Sequence, residues 1–136
     1  MTKYCTSSSF GYNGFVDNKT ELDLEDDAAY VNWGSKWRMP SYDQLDELGT
    51  LCPWTWTTLN GVNGRLVTGP NGNTLFLPAA GYHYDGSLDY GSYGYYWTRT
   101  LSYPDYAYGF DFYSGCVYSD EYARSDGQSV RAVRVP

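Results

Sequence analysis

The sequence predicts an α+β domain in which two helices precede a mainly antiparallel, irregular sheet with long loops. Segments of helical period, each with a capping residue, lie before Pro53, and short β-type runs broken by Asn-Gly pairs follow it. Over residues 89–126 the side chains are almost entirely Tyr, Ser, Asp and Gly. At 136 residues the chain fits one domain over 1–136, and a domain of that size buries roughly two-thirds of its unfolded surface. Without an internal repeat or linker there is no boundary to draw, only a scaffold over about 1–88 and a Tyr-rich region over about 89–134.

The first helix is expected over 24–32. Asp23 is its cap, and Glu25, Asp26 and Asp27 sit where carboxylates meet the positive end of the helix dipole. These acids do not follow the alternating ligand spacing of an EF-hand loop, so they are read as a solvated helix start. The second helix begins after Pro40, with Ser41 as cap and Gln44 completing a capping box. Leu45, Leu48 and Cys52 form its apolar face, and Pro53 ends it.

Beyond Pro53 the period changes. Trp54-Thr-Trp56-Thr-Thr, Arg65-Leu-Val-Thr68 and Thr74-Leu-Phe-Leu77 read as three antiparallel strands, with turns expected at Asn60-Gly61, Asn63-Gly64 and Asn71-Gly72. After Ala80 shorter strands are expected over 96–100, 106–112 and 129–135. In Tyr108-Gly109-Phe110-Asp111-Phe112-Tyr113 the alternation assigns Tyr108, Phe110 and Phe112 to a packed face and Gly109, Asp111 and Tyr113 to a free one. Trp33, Trp37, Trp54 and Trp97 are expected to be mostly buried with the two phenylalanines.

Composition narrows the function. Hydrophobic residues at 42% and aromatics at 19% exclude a disordered chain despite a mean hydropathy of -0.55. The net charge of -7 argues against a nucleic-acid partner, which needs clustered cations to displace counterions. No apolar run is long enough to span a bilayer, and no signal peptide leads the chain. Cys5, Cys52 and Cys116 with the single His83 show no metal-ligand spacing, so neither a metal nor any other cofactor is expected. Cys5 and Cys52 are either a disulfide or two buried thiols.

His83 with Asp85 and Asp89 is read as a surface loop, since no Ser or Cys sits in a nucleophile motif. Tyr90, Tyr93, Tyr95, Tyr96, Tyr103, Tyr106, Tyr108, Tyr113, Tyr118 and Tyr122 all fall in 89–126. Tyrosine is a rigid amphipathic contact, and Ser, Gly and Asp are adaptable hydrogen-bonders, which is the alphabet of paratopes. The reading is recognition, not catalysis.

Ordered motif blocks run through the chain: Val31-Asn-Trp-Gly-Ser-Lys-Trp-Arg-Met-Pro40, Cys52-Pro-Trp-Thr-Trp56, Asn60-Gly-Val-Asn-Gly64 and Val67-Thr-Gly-Pro-Asn-Gly72, then Phe76-Leu-Pro-Ala-Ala-Gly81, Gly91-Ser-Tyr-Gly-Tyr-Tyr-Trp97 and Gly127-Gln-Ser-Val-Arg-Ala-Val-Arg134. Together they resemble the FISUMP (major paralogous) domain. That family implies a C-type-lectin-like fold of the formylglycine-generating-enzyme subclass, at a cell surface or secreted. Its members usually carry a further N-terminal strand that pairs with the last one. No counterpart precedes Lys3 here, so the chain is expected to be a shortened form or to leave 129–135 as an edge.

A subset of these domains are variable proteins of diversity-generating retroelements, some carried on phage particles, and the segment from Trp97 to Arg134 is similar to their mutable end. Adenine mutagenesis of AAY codons reaches Tyr, Ser, Asp, Gly, Cys, Arg, His and Asn, but never Lys, Met, Trp, Gln or Glu, and no Lys or Met follows Met39. The resemblance implies solvent-facing, diversified, ligand-binding positions at Tyr93, Tyr95, Arg99, Tyr103, Asp105, Gly109, Asp111, Tyr113, Cys116, Tyr118, Asp120, Tyr122, Ser125 and Asp126. Tyr96, Trp97, Tyr108, Phe110, Phe112, Gly127, Val130 and Val133 would be scaffold, and Glu121 and Gln128 template-fixed.

The implied partner is a variable protein or cell-surface ligand, or a glycan, with no nucleic acid and no membrane insertion. The alternatives are a non-diversified surface or adhesin domain and a formylglycine-generating-like oxidase. The oxidase needs a late cysteine pair for cuprous copper, and only Cys116 lies in that half. The Glu-Pro-Asn, Gln-Pro-Asp and Trp-Asn-Asp tripeptides of calcium-dependent sugar sites do not occur.

Overall fold

The computed structural model describes residues 1–89 and 91–136, Asp89 by its backbone alone, and Tyr90 of the Tyr-rich stretch lies outside the described residues. Helix α1 (Ala28–Trp33) is capped by Asp27, not by Asp23, and so starts later than the sequence suggests. The reason is tertiary. The Asp27 carboxylate is 1% exposed and accepts from the amides of Ala29 and Tyr30, and also from the Met39 amide at 2.9 Å. No other acid of the cluster makes that third contact. Asp23, Glu25 and Asp26 instead surround the Lys3 ammonium at 3.3, 2.7 and 2.5 Å.

After the short strand β1 (Trp37–Arg38), helix α2 (Tyr42–Leu51) follows its sequence pattern closely. The Ser41–Gln44 capping box is formed in both directions, and Leu45 is buried with Leu48 and Cys52 packed around it. Strands β2 (Trp54–Leu59), β3 (Val62–Thr68) and β4 (Thr74–Pro78) form the expected antiparallel sheet. Asn60 and Gly61 make its first turn with φ of 50° and 78°, the left-handed pair a two-residue hairpin needs. Asn63-Gly64 is not a turn: both lie within β3. A Cβ at Gly64 would meet the Leu77 carbonyl oxygen at 2.3 Å, so this glycine is there for close approach.

Beyond Ala80 the strand lengths are mixed, with two strands of three residues followed by three of seven or eight. A hairpin of β5 (Tyr82–Tyr84) and β6 (Ser87–Asp89) turns on Asp85-Gly86, and an antiparallel sheet follows of β7 (Gly94–Leu101), β8 (Tyr106–Phe112) and β9 (Val117–Ala123). Only Val133 and Arg134 of the last predicted strand form β10, pairing with β1. Earlier in that segment, Ser129 bridges to Tyr96.

The main core lies between α2, the β2–β4 sheet and one face of the β7–β9 sheet. It holds Leu45, Val67, Leu77, Ala79, Tyr96, Phe110 and Phe112. Gly49 lets α2 settle on Phe110, since a Cβ there would stand 2.6 Å from the ring tip. Two expected core residues are outside it: Trp33 is 57% and Trp37 36% exposed, while Trp54 and Trp97 are half-buried. A second cluster of Tyr4, Leu101 and Ala107 joins the N-terminal segment to the far end of the β7–β9 sheet. Among the described residues no helix is long and apolar enough to cross a membrane.

Candidate functional site

Period-2 alternation divides the β7–β9 sheet. Tyr96, Phe110 and Phe112 face the core, with Phe112 wholly buried. The register places Tyr95 beside Asp111 and Asp111 beside Tyr118, then Trp97 beside Gly109 and Gly109 beside Asp120. These side chains and Tyr122 therefore share the opposite face. Aromatic contacts run across it: Tyr82 to Tyr95 at 4.6 Å, Tyr93 to Tyr95 at 6.1 Å, Tyr93 to Tyr113 at 5.6 Å, Tyr113 to Tyr118 at 6.2 Å and Tyr95 to Tyr122 at 5.6 Å. Offset and edge contacts of this kind hold rings in place without closing them off from solvent.

Beneath the rings lies a polar pair. Asp111 is 8% exposed, and its carboxylate accepts a short hydrogen bond from the Tyr122 hydroxyl. Burial pushes the Asp111 carboxyl above the usual carboxylate range; the Tyr122 bond opposes this and the neighbouring Asp120 adds to it. Burial and the Asp111 contact together hold the Tyr122 hydroxyl well above the usual phenol range. The Tyr118 hydroxyl is also raised, by its contacts with Cys116 and Tyr113. The Gln128 side chain closes over Gly109, and a Cβ at that glycine would meet Gln128 Oε1 at 2.9 Å and the Tyr122 ring at 2.7 Å.

The structure sorts the sequence-derived positions. Tyr93, Tyr103, Asp105, Tyr118, Asp120 and Ser125 are exposed; Tyr95, Tyr113, Cys116, Tyr122 and Asp126 are half-buried. Tyr93, Tyr95, Tyr113, Tyr118, Asp120 and Tyr122 converge on the face, with Cys116 in the β8–β9 loop beside Tyr118. Tyr103 and Asp105 belong to the β7–β8 loop, where the Asp105 carbonyl receives the Arg124 amide next to Ser125 and Asp126.

Three expectations fail. Gly109 and Asp111 are buried, not solvent-facing, because Tyr122 and Gln128 pack over them. Arg99 is turned away by the register shift after Trp97, and its guanidinium is committed to the Met39 carbonyl at 3.0 Å and to Glu21 at 3.3 Å. Tyr82 was missed, although Asp85-Gly86 between alternating residues is a hairpin signal that places it.

The face is tied to the scaffold through the main chain. Arg65, 7% exposed, donates from Nε and Nη2 to the Tyr113 carbonyl at 3.0 and 2.8 Å, and from Nη1 to the Trp54 carbonyl at 2.7 Å. The Ser129 amide donates to the Tyr95 carbonyl at 3.0 Å, and the Trp97 amide to the Ser129 carbonyl at 2.9 Å.

The residues weighed for chemistry are scattered. All three thiols are free: Cys5 is buried and bonds the Ser7 carbonyl, while Cys52 packs on the core, so the Cys5–Cys52 disulfide is not formed. His83 is exposed, and its backbone pairs with Gly127. Carboxylates of Asp23, Glu25 and Asp26 come within 4.8 Å of one another, but the Lys3 ammonium occupies the place between them.

No curated protein and no solved structure matches the chain. A family model matches residues 54–133, from the start of β2 into β10. That stretch contains the whole tyrosine face and the sheet that supports it, and by this match the chain belongs to DUF8237, a family of domains of unknown function.

Proposed function

We propose that the chain is a display domain with a C-type-lectin-like fold of the FISUMP kind, whose tyrosine face binds protein or cell-surface ligands and is diversified by a retroelement. The observation that carries this reading is the division of one sheet into a packed face and a tyrosine face. Phe110 and Phe112 fix the strands from behind, so side chains in front can change without disturbing the core. Affinity would come from central tyrosines desolvated against a partner, with Asp120 and neighbouring serines setting register. The domain would work at a cell surface, in secreted form or on a phage particle, without metal and without catalysis.

The test is a library in which Tyr93, Tyr113, Tyr118 and Asp120 take the residues open to an AAY codon. The reading expects most members to fold, different target proteins to select different residue sets, and binding to persist in a strong chelator. General unfolding of the library sinks it, as does a binding activity indifferent to these positions. The genetic part stands or falls separately, on a near-copy of the codons for 97–134 with adenines at these sites beside a reverse transcriptase gene.

A further inference from the structure

The strongest feature outside the tyrosine face lies beside β1 and the segment that leads into β10. Trp33 and Trp37 stand edge to face at 6.4 Å, both exposed, and with Val130, Arg131 and Ala132 they line a groove of about 440 Å³. Exposed indoles side by side are unusual on a surface with no use for them. The backbone next to them is also open. Ser129 is bonded to β7 and Val133 to β1, yet residues 130–132 between them make no backbone hydrogen bond among the described residues. Unpaired amides and carbonyls beside a groove walled by two indoles meet the requirement for strand addition, in which main-chain bonds supply affinity and the groove selects side chains.

Charge identifies the occupant. In a chain of net charge -7, this end is basic. Arg131 lines the groove, Arg134 is the register partner of Trp37 and so shares its face, and Lys36 and Arg134 line the adjoining cleft. None of these three forms an ion pair among the described residues, whereas Lys3, Lys19 and Arg99 all do. A second copy docked about a two-fold axis would bring Arg131 and Arg134 against their own like charges. We propose that the 130–132 edge and the Trp33–Trp37 groove dock an extended segment of a partner protein, with apolar or aromatic residues at its centre and acidic residues at its flanks. This site is separate from the tyrosine face and does not depend on its role.

The probe is an acetylated, amidated peptide, Asp-Glu-Val-Tyr-Val-Glu-Asp, beside a version with Lys at every acidic position. Titration followed by calorimetry and by amide NMR should give saturable binding of the acidic peptide, weaker at higher salt, with the amides of Val130, Arg131 and Ala132 shifting most. Joint Trp33→Ala and Trp37→Ala substitution should weaken it by about thirtyfold, the size of an aromatic hot-spot loss. Arg131→Glu, a surface change that leaves the core untouched, should weaken it by about tenfold through charge alone. Equal binding of the Lys peptide overturns the proposal, as does no binding of the acidic one near 1 mM. It is also overturned if the protein sediments as a dimer that Arg131→Glu strengthens or Trp37→Ala dissolves, since the groove would then be covered by a second copy.

Discussion

The two faces of the β7–β9 sheet are written in the same alternating strands and behave differently. Behind, Phe110 and Phe112 interlock with Tyr96 and Trp54, and Phe112 has no exposed surface. In front, Tyr93 meets Tyr113 at a tilt and Tyr118 stacks on Tyr113, while Tyr93 and Tyr118 keep 37% and 48% of their surface in solvent. Burial and partners, more than residue type, distinguish a structural ring from a displayed one. Asp111 complicates the division, because it belongs to the front by register and to the interior by burial.

The largest test of the comparison is Phe112→Ala. As a full core truncation it should cost about 3–5 kcal/mol in denaturant unfolding. A loss no larger than that of a front-face tyrosine would erase the distinction between the faces. Tyr122→Phe comes next. It leaves the buried Asp111 carboxylate without its hydroxyl donor, and should cost about 1–3 kcal/mol. Adding Asp111→Asn should recover much of that loss, and the double-mutant cycle reads the coupling directly. Strict additivity would mean that the two groups do not act as a pair.

Replacing Tyr93, Tyr103 and Tyr118 together by Ser should change stability by no more than about 1 kcal/mol, as for surface positions. Cooperative unfolding at a much lower midpoint would make the front face structural. The smallest effect is a pH dependence. Burial raises the folded-state pKa of Asp111 above its unfolded value, so the native state holds this proton more tightly than the unfolded chain does. The resulting stabilisation is full below the ordinary carboxylate pKa of about 3.9 and is lost as pH rises through the raised value. Asp111→Asn does not titrate, so its stability relative to wild type should grow from pH 3 to pH 7 in paired unfolding curves. A variant whose stability falls relative to wild type as pH rises would contradict the burial.

How much of this was legible depends on whether local chemistry or distant contacts decided the element. Helix α2 was legible because its capping box, apolar face and terminal Pro53 are all local signals. The start of α1 was not, because Asp23 and Asp27 are equally good caps by type and the choice rests on the Met39 amide, which only the fold brings near. Strand β9 escaped because Val-Tyr-Ser-Asp-Glu-Tyr-Ala has a polar composition, although its alternation of Tyr118, Asp120 and Tyr122 was there to be read. The packed face of β8 was correctly assigned, whereas its partner face was taken as free because alternation cannot show what lies above a strand. Trp33 and Trp37 failed for the converse reason: hydrophobicity does not say whether a partner surface exists.

Arg65 carries a consequence for how such a face can change over generations. Its guanidinium holds the end of β8 by the carbonyl of residue 113, an atom that every amino acid supplies in the same place. The Ser129 bonds to Tyr95 and Trp97 are likewise blind to side-chain identity. Substitution at 113 therefore alters the side chain on the surface without loosening the backbone that carries it. Mutational cost is decoupled from mutational content at such positions, and it returns only where a side chain itself is the fastener, as at 111 and 122.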